Sequence, residues 1–249
     1  MSGHNKWASI KHKKAAADAK RGKLFTKVIK EITVSAKTGG GDPATNPRLR
    51  TAIQAAKDGN MPADNIERAI KKGTGELEGV TYEELVYEGY GPSGVAILVQ
   101  CLTDNKNRTA AEIRSIFTKG DGSMAGAGSV AWIFEKKGLI VVPSAKTTED
   151  QLMEIAIGAG AEDMVQQGDN FQITTSVQDY ESVRQALEQA KIEFESAQLT
   201  MIPKNETPVA SEKARALIHL VETLEDHDDV QNVYMNGDIP DDVMKEIAG

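Results

Sequence analysis

The most distinctive residues of this sequence are cations gathered near the N-terminus. The first thirty residues contain nine lysines and arginines and a single acidic residue, Asp18. At 100° per residue, one side of a helix would carry a stripe about 100° wide formed by Lys13, Lys20, Lys23, Lys27 and Lys30. A row of ammonium groups suits a phosphate backbone, because neutralising each phosphate releases a counterion. The alternative is an ordinary solvated helix face, which the scarcity of nearby acids disfavours.

Contacts of this kind would be largely independent of nucleotide sequence. Lysine charges position a phosphate backbone, whereas base reading favours Arg, Asn and Gln side chains, of which this segment has few. Trp7 lies within the basic run and has a ring suited to stacking on an unpaired base, although pinning the arm to the helical domain is the interpretation we prefer. The predicted nucleic-acid-binding residues are Lys6, Trp7, Lys11, His12, Lys13, Lys14, Lys20, Arg21, Lys23, Lys27, Lys30, Arg48 and Arg50.

No group of residues in the sequence predicts catalysis. The four histidines are divided between the two ends of the chain, so they give no Ser-His-Asp or Cys-His set. None has a cysteine nearby, which makes them poor metal ligands, and this includes His227 among its acidic neighbours. The glycine-rich segments 88–94 and 120–126 lack both the P-loop ending and the dinucleotide motif, and are typical of turns. We therefore predict a protein that is not an enzyme, with no cofactor and no metal.

The elements that position the cations form a small helical domain. Apolar residues recur at helical spacing from Ser9 to about Lys37, which predicts one long helix that ends at the glycines 39–41. A second helix is predicted after Pro47, and a third opens at Met61-Pro62 and ends before Gly73. The predicted domain spans residues 1–79, with residues 73–79 as its linker.

The remainder of the chain predicts two α/β domains. Between Gly138 and Pro203 the order is strand, helix, strand, strand, helix, strand, which is a ferredoxin-like arrangement. The flanking segments together offer strand, strand, helix, strand and then helix, strand. We predict a discontinuous domain, residues 80–134 plus 207–249, with a ferredoxin-like domain, residues 135–206, inserted in it. The fold class is α+β with three domains.

Two local features have expected structural roles. The segment from Thr109 to Glu112 has the spacing of a capping box and predicts a helix start there. The single cysteine, Cys101, lies in an apolar run, so it predicts a buried thiol and suits a reducing cytosol.

No stretch approaches the roughly 18 apolar residues of a membrane span, and the start lacks a signal-peptide core. We therefore predict a cytoplasmic protein without a membrane partner.

Charge separates the two parts of the chain. Residues 1–79 contain 16 basic and 8 acidic residues, whereas residues 80–249 contain 13 basic and 29 acidic ones. This asymmetry indicates a polyanion-binding module joined to bodies that repel polyanions. The ferredoxin-like domain also lacks the basic-aromatic run with which RNA-recognition domains stack bases. The acidic domains are therefore predicted to be structural or to dock other proteins, with the ribosome as one candidate.

Eight short motifs are distributed along the chain: Gly3-His4-Asn5-Lys6-Trp7, Ile10-Lys11-His12-Lys13-Lys14, Asp18-Ala19-Lys20-Arg21-Gly22-Lys23, Gly40-Gly41-Asp42-Pro43, Asn46-Pro47-Arg48-Leu49-Arg50, Tyr87-Glu88-Gly89-Tyr90-Gly91-Pro92, Asp104-Asn105-Lys106-Asn107-Arg108-Thr109 and Gly128-Ser129-Val130-Ala131. Together they resemble the motifs of the YebC/PmpR family, and the resemblance runs essentially from end to end. Asn5 stands where serine is common in the family, and Asp121 and Met124 vary a glycine-rich turn.

The resemblance implies three domains, of which the middle one is interrupted. It also implies that the protein has no enzymatic activity and no cofactor. Family members are usually described as DNA-binding transcriptional regulators. Others, including a mitochondrial translational activator of cytochrome oxidase subunit I, are linked to the ribosome and to relief of stalled peptide synthesis. The first function predicts duplex DNA as the partner of the basic domain, and the alternative predicts ribosomal RNA.

Overall fold

The computed structural model describes residues 18–240, 243, 244 and 246, and the side chains from residue 22 onwards within that range. The predictions for Lys6, Trp7 and residues 11–14 therefore lie outside the described residues. Within the described part of the chain, no helix is both long enough and apolar enough to cross a membrane.

Three helices form the N-terminal domain: α1 (Asp18–Gly39), α2 (Pro47–Asp58) and α3 (Ala63–Thr74). Both α2 and α3 pack against α1, and their core includes the fully buried Ile32 and Leu49. The buried Asn46 caps α2 by accepting a hydrogen bond from the Leu49 amide at 3.1 Å. Its own amide donates to the carbonyls of Ser35 and Gly40, each at 2.8 Å, and so ties the end of α1 to the start of α2.

Gly73 marks a close approach of α3 to α1. The third helix was expected to end before Gly73, but it continues to Thr74. A Cβ atom at Gly73 would lie 2.4 Å from the Thr33 carbonyl oxygen and 2.7 Å from the Ala36 Cβ. The glycine therefore has a packing role inside the helix in addition to any role in ending it.

Gly73→Ala is expected to lower the free energy of unfolding by about 1–3 kcal/mol, as overpacking does, despite the roughly 1 kcal/mol that alanine gains in helix propensity. Urea denaturation of the full-length protein measures it. Gly22→Ala is the matched control, because nothing lies within 4 Å of a Cβ at Gly22 in α1, and it should leave stability unchanged or higher. Equal effects at the two glycines would contradict the packing role.

The middle α/β domain is built from two distant stretches of chain. The first contains β1 (Glu83–Tyr90), β2 (Ala96–Thr103), α4 (Lys106–Lys119) and β3 (Ser123–Ala125); the second contains β8 (Thr207–Pro208), α7 (Ser211–Glu225), β9 (Val230–Met235) and β10 (Gly237–Asp238). The sheet order is β3-β1-β2-β9, all antiparallel, and β8 pairs with β10 separately. Helices α4 and α7 share its hydrophobic core, to which Phe117 and Leu217 contribute without exposed surface.

Cys101 belongs to that core, as predicted, and burial raises the pKa of its thiol to about 12. The expected helix start at Thr109 is wrong. Helix α4 begins at Lys106, because Asn105 is the cap and accepts from the Arg108 amide at 3.1 Å. An Asn side chain caps a helix as effectively as Ser or Thr. Thr109 therefore lies inside the helix, and its hydroxyl is not used as the helix cap.

Residues 133–204 form a compact unit of their own. It contains β4 (Phe134–Pro143), α5 (Glu149–Gly158), β5 (Ala161–Gln167), β6 (Asn170–Thr175), α6 (Tyr180–Gln189) and β7 (Ser196–Pro203). The antiparallel sheet has the order β5-β6-β4-β7, which places the first and third strands of the unit at its centre. Both helices pack on one face around a core that includes Ile140 and Leu187. The α+β fold class is confirmed.

Candidate nucleic-acid interface

Lys23, Lys27 and Lys30 share one side of α1, as their spacing predicted. That side contacts residues 225–229, at the end of α7, which we call the acidic turn. The Lys23 ammonium donates to the Asp226 carbonyl at 3.1 Å, and the Lys27 ammonium donates to the Glu225 carbonyl at 2.5 Å. The last carbonyls of a helix lack partners within it and carry partial negative charge, so lysines are suited to this position.

Lys30 is the centre of a buried polar cluster. Its ammonium group lies 2.5 Å from the Asp229 carboxylate and donates to the Asp228 carbonyl at 3.0 Å. Lys30 is 7% exposed and Asp229 is 2% exposed. The ammonium group also lies 5.7 Å from the centre of the Tyr82 ring, within the range of a cation–π interaction. Lys30 is therefore buried rather than solvent-facing, and its predicted contact with nucleic acid stays a prediction.

The second oxygen of Asp229 binds donors on other elements of the middle domain, to which Asp229 itself belongs. It accepts from the Thr109 hydroxyl at 2.7 Å, from Arg108 at 2.8 Å and from the Thr103 hydroxyl at 3.1 Å. Burial alone would raise the pKa of Asp229, but the hydrogen bonds from Lys30, Thr109 and Arg108 hold it well below its usual range. Asp229 thus joins α1, β2 and α4 through one ionised carboxylate.

The two predicted arginines also have partners within the chain. Arg48 donates to Glu31 at 2.6 Å and to Glu84 of β1 at 2.7 Å, and these bonds, with Glu31 as the larger cause, raise its pKa. It therefore links the helical domain to the sheet. Arg50 is exposed and donates to the Pro43 carbonyl at 2.9 Å. Both arginine side chains are partly exposed, but none of their contacts indicates that they bind nucleic acid.

Lys20 and Arg21 lie on the first turns of α1, and nothing is described of their side chains. Together with residues 6, 7 and 11–14 they remain predictions. Among the described cations of the stripe, Lys23 keeps the most accessible side chain, with 47% of its surface exposed. The structure thus brings the described part of the stripe together, but against a protein surface.

Sequence reasoning missed Glu88 as well as Asp229. The Glu88 carboxylate is buried on β1 and accepts from the amides of Gly128 at 2.6 Å, Val130 at 2.6 Å and Ala131 at 2.8 Å. Burial would raise its pKa, but these three bonds together lower it. The only signal in the sequence was an acid within an alternating strand pattern, and the loop whose amides donate to it lies about forty residues away.

Glu112, His227 and Asp229 are the one group of possible metal ligands found among the described residues, with ligand atoms within 4.8 Å of one another. The His227 ring lies 2.8 Å from the Glu112 carboxylate. Both oxygens of Asp229 already bind Lys30 or Arg108. These two cations would repel a metal ion, so the cluster is better suited to an ion-pair network.

In its described residues, the protein combines a three-helix domain, an interrupted middle α/β domain and a ferredoxin-like unit. Comparison with known families identifies it further. The model of the TACO1/YebC N-terminal domain matches residues 5–76, and the model of the second and third domains matches residues 82–237. The chain belongs to the TACO1/YebC family, which confirms the resemblance drawn from the motifs.

Curated relatives match over nearly the whole chain. A probable transcriptional regulatory protein of Desulfatibacillum aliphaticivorans is 62% identical over 246 residues, covering 99% of this chain and all of the relative. One of Geobacter sulfurreducens is 58% identical over 247 residues, again covering 99% of this chain and all of the relative. The crystal structure of a conserved hypothetical protein from Aquifex aeolicus is 48% identical, with a TM-score of 0.80, and the match covers 91% of this chain and 93% of that one. The relatives' names support a regulator of YebC type.

Proposed function

We propose that this protein is a DNA-binding transcriptional regulator that acts without catalysis and binds the phosphate backbone through its N-terminal domain. The observation that carries the proposal is the charge distribution: 16 basic against 8 acidic residues in residues 1–79, and the reverse balance afterwards. The names of the relatives support the same function. A basic module on an acidic protein concentrates phosphate binding in one place.

The contacts of Lys23, Lys27 and Lys30 divide the cations by role. Because these three bind oxygens of the acidic turn, we assign the main phosphate contact of the domain to the predicted cations that precede them. These are Lys6, Lys11, Lys13, Lys14, Lys20 and Arg21. We propose that these six residues, which we call the arm, form the main contact with DNA. This contact would be largely independent of the nucleotide sequence.

A charge-removal variant tests this proposal. We expect the change of four lysines to glutamine to lower the salt slope of duplex binding by about three to four units, at about 0.9 per lost phosphate contact. Between 50 and 200 mM salt, the affinity of the variant should then change about 100-fold less than that of the wild type. The changed residues are Lys11, Lys13, Lys14 and Lys20.

Fluorescence anisotropy on a labelled duplex across a salt series gives both quantities. The matched control removes four exposed lysines outside the helical domain, with the same change in net charge: Lys119, Lys136, Lys204 and Lys213. This control should keep the wild-type slope. If the arm variant and the control bind alike, the N-terminal domain is not the DNA contact and the proposed function fails.

A further inference from the structure

We infer that the acidic turn is a built-in competitor for DNA: it occupies the phosphate-binding positions of Lys23 and Lys27, and DNA must displace it to use them. This inference rests on the proposed function and adds an intramolecular control to it. The structure gives it a definite place, the junction of α1 with the C-terminal end of α7.

The acidic turn resembles a short run of phosphates in its chemistry. Of its five residues, 225–229, four are carboxylates. It offers Lys23 both a carbonyl oxygen at 3.1 Å and the Asp226 carboxylate at 3.6 Å, and it offers Lys27 a carbonyl oxygen at 2.5 Å. The C-terminal end of a helix adds its partial negative charge. Each lysine thus already donates to an oxygen of the acidic turn, and Lys23 also faces an anionic oxygen, as it would in a phosphate contact.

The junction has a buried centre and an exposed edge. At the centre, the Lys30–Asp229 pair is excluded from solvent and is held by three further donors. At the edge, the Lys23 side chain is 47% exposed and that of Asp226 is 70% exposed. Exposed ion pairs contribute little and are screened by salt, whereas a broken buried pair is costly. DNA can therefore exchange with the edge while the centre keeps the domains docked.

The test is a double-mutant cycle on the affinity of the full-length protein for a labelled DNA duplex at low salt. Asp226→Asn removes the competing carboxylate and should raise the affinity about 1.5- to 5-fold, the range of one exposed ion pair. In a Lys23→Gln background the same change should have no effect, because its partner is absent. That dependence on Lys23 separates competition from a general change in charge.

Glu212→Gln is the matched control, since Glu212 is exposed on the same helix with the same charge. It lies fourteen residues earlier, about 21 Å along the axis, well beyond the Debye length of about 10 Å at 0.1 M salt. It should leave the affinity unchanged. Thermal unfolding of each variant checks that the fold is retained.

The outcomes are distinguishable. A gain that requires Lys23 and is absent from Glu212→Gln supports the competitor. An equal gain in the Lys23→Gln background or in Glu212→Gln overturns it, as does no gain while the arm variant still loses affinity; in each case the proposed function stands. If the arm variant also binds like its control, the proposed function itself fails and the competitor falls with it.

Discussion

Asp229→Asn is expected to lower the free energy of unfolding of the full-length protein by about 3–5 kcal/mol, because it leaves the buried Lys30 without its counter-charge. The substitution also weakens the bonds from Thr109 and Arg108, which join α4 to the same carboxylate. Urea denaturation, followed by a spectroscopic signal, measures the loss. It should be one of the largest effects of any single side-chain change in this junction.

Asp228→Asn is the control, because Asp228 is adjacent but exposed, and it should change stability by no more than about 0.5 kcal/mol. A further variant tests the pairing itself. Lys30→Met in the Asp229→Asn background should recover part of the loss, since it removes the stranded cation. A loss below about 1 kcal/mol for Asp229→Asn, or no coupling with Lys30, would show that the pair does not hold the domains together.

Glu88→Gln is expected to lower the free energy of unfolding by about 2–4 kcal/mol. The carboxylate accepts three backbone N–H bonds, and bonds to a charged group contribute about 1.5–3 kcal/mol each. A glutamine amide has a single acceptor oxygen, so it cannot satisfy all three donors. Denaturation of the variant beside Glu83→Gln, an exposed carboxylate of the same strand, measures the difference.

Acid titration provides the second readout for Glu88. Its pKa is lowered in the folded protein, so its contribution to stability is complete above the unfolded value of about 4.3 and is lost as the pH falls towards the lower folded value. Stability of the wild type should therefore decline more steeply below about pH 4 than that of Glu88→Gln. Parallel curves for the two proteins would mean that the carboxylate is not ionised against the loop.

The local pattern of the sequence was sufficient for most of the elements. Apolar periodicity placed the helices of the N-terminal domain and the order of strands and helices along the ferredoxin-like unit, because those signals depend on residues a few positions apart. Boundaries were less accurate where two local signals competed. At α4 both Asn105 and Thr109 had capping chemistry, and the structure uses the first.

The functional surface could not be predicted in the same way. The helical spacing of Lys23, Lys27 and Lys30 correctly gave a shared side, but what that side faces depends on Asp229, which is 199 residues from Lys30. Nothing local in α1 distinguishes a lysine that meets a phosphate from one that meets a carboxylate. The same limit applies to Glu88, whose role depends on amides supplied by a separate loop.

The most direct test of the central claim is to compare duplex DNA binding at about 150 mM salt with co-sedimentation on ribosomes in a sucrose gradient, for the wild type and the Lys11, Lys13, Lys14, Lys20 variant. A transcriptional regulator should bind duplex DNA at this salt concentration through the arm and should not sediment with ribosomes. Ribosome association that requires the same lysines, with little or no duplex binding at this salt concentration, would contradict it and make ribosomal RNA the target.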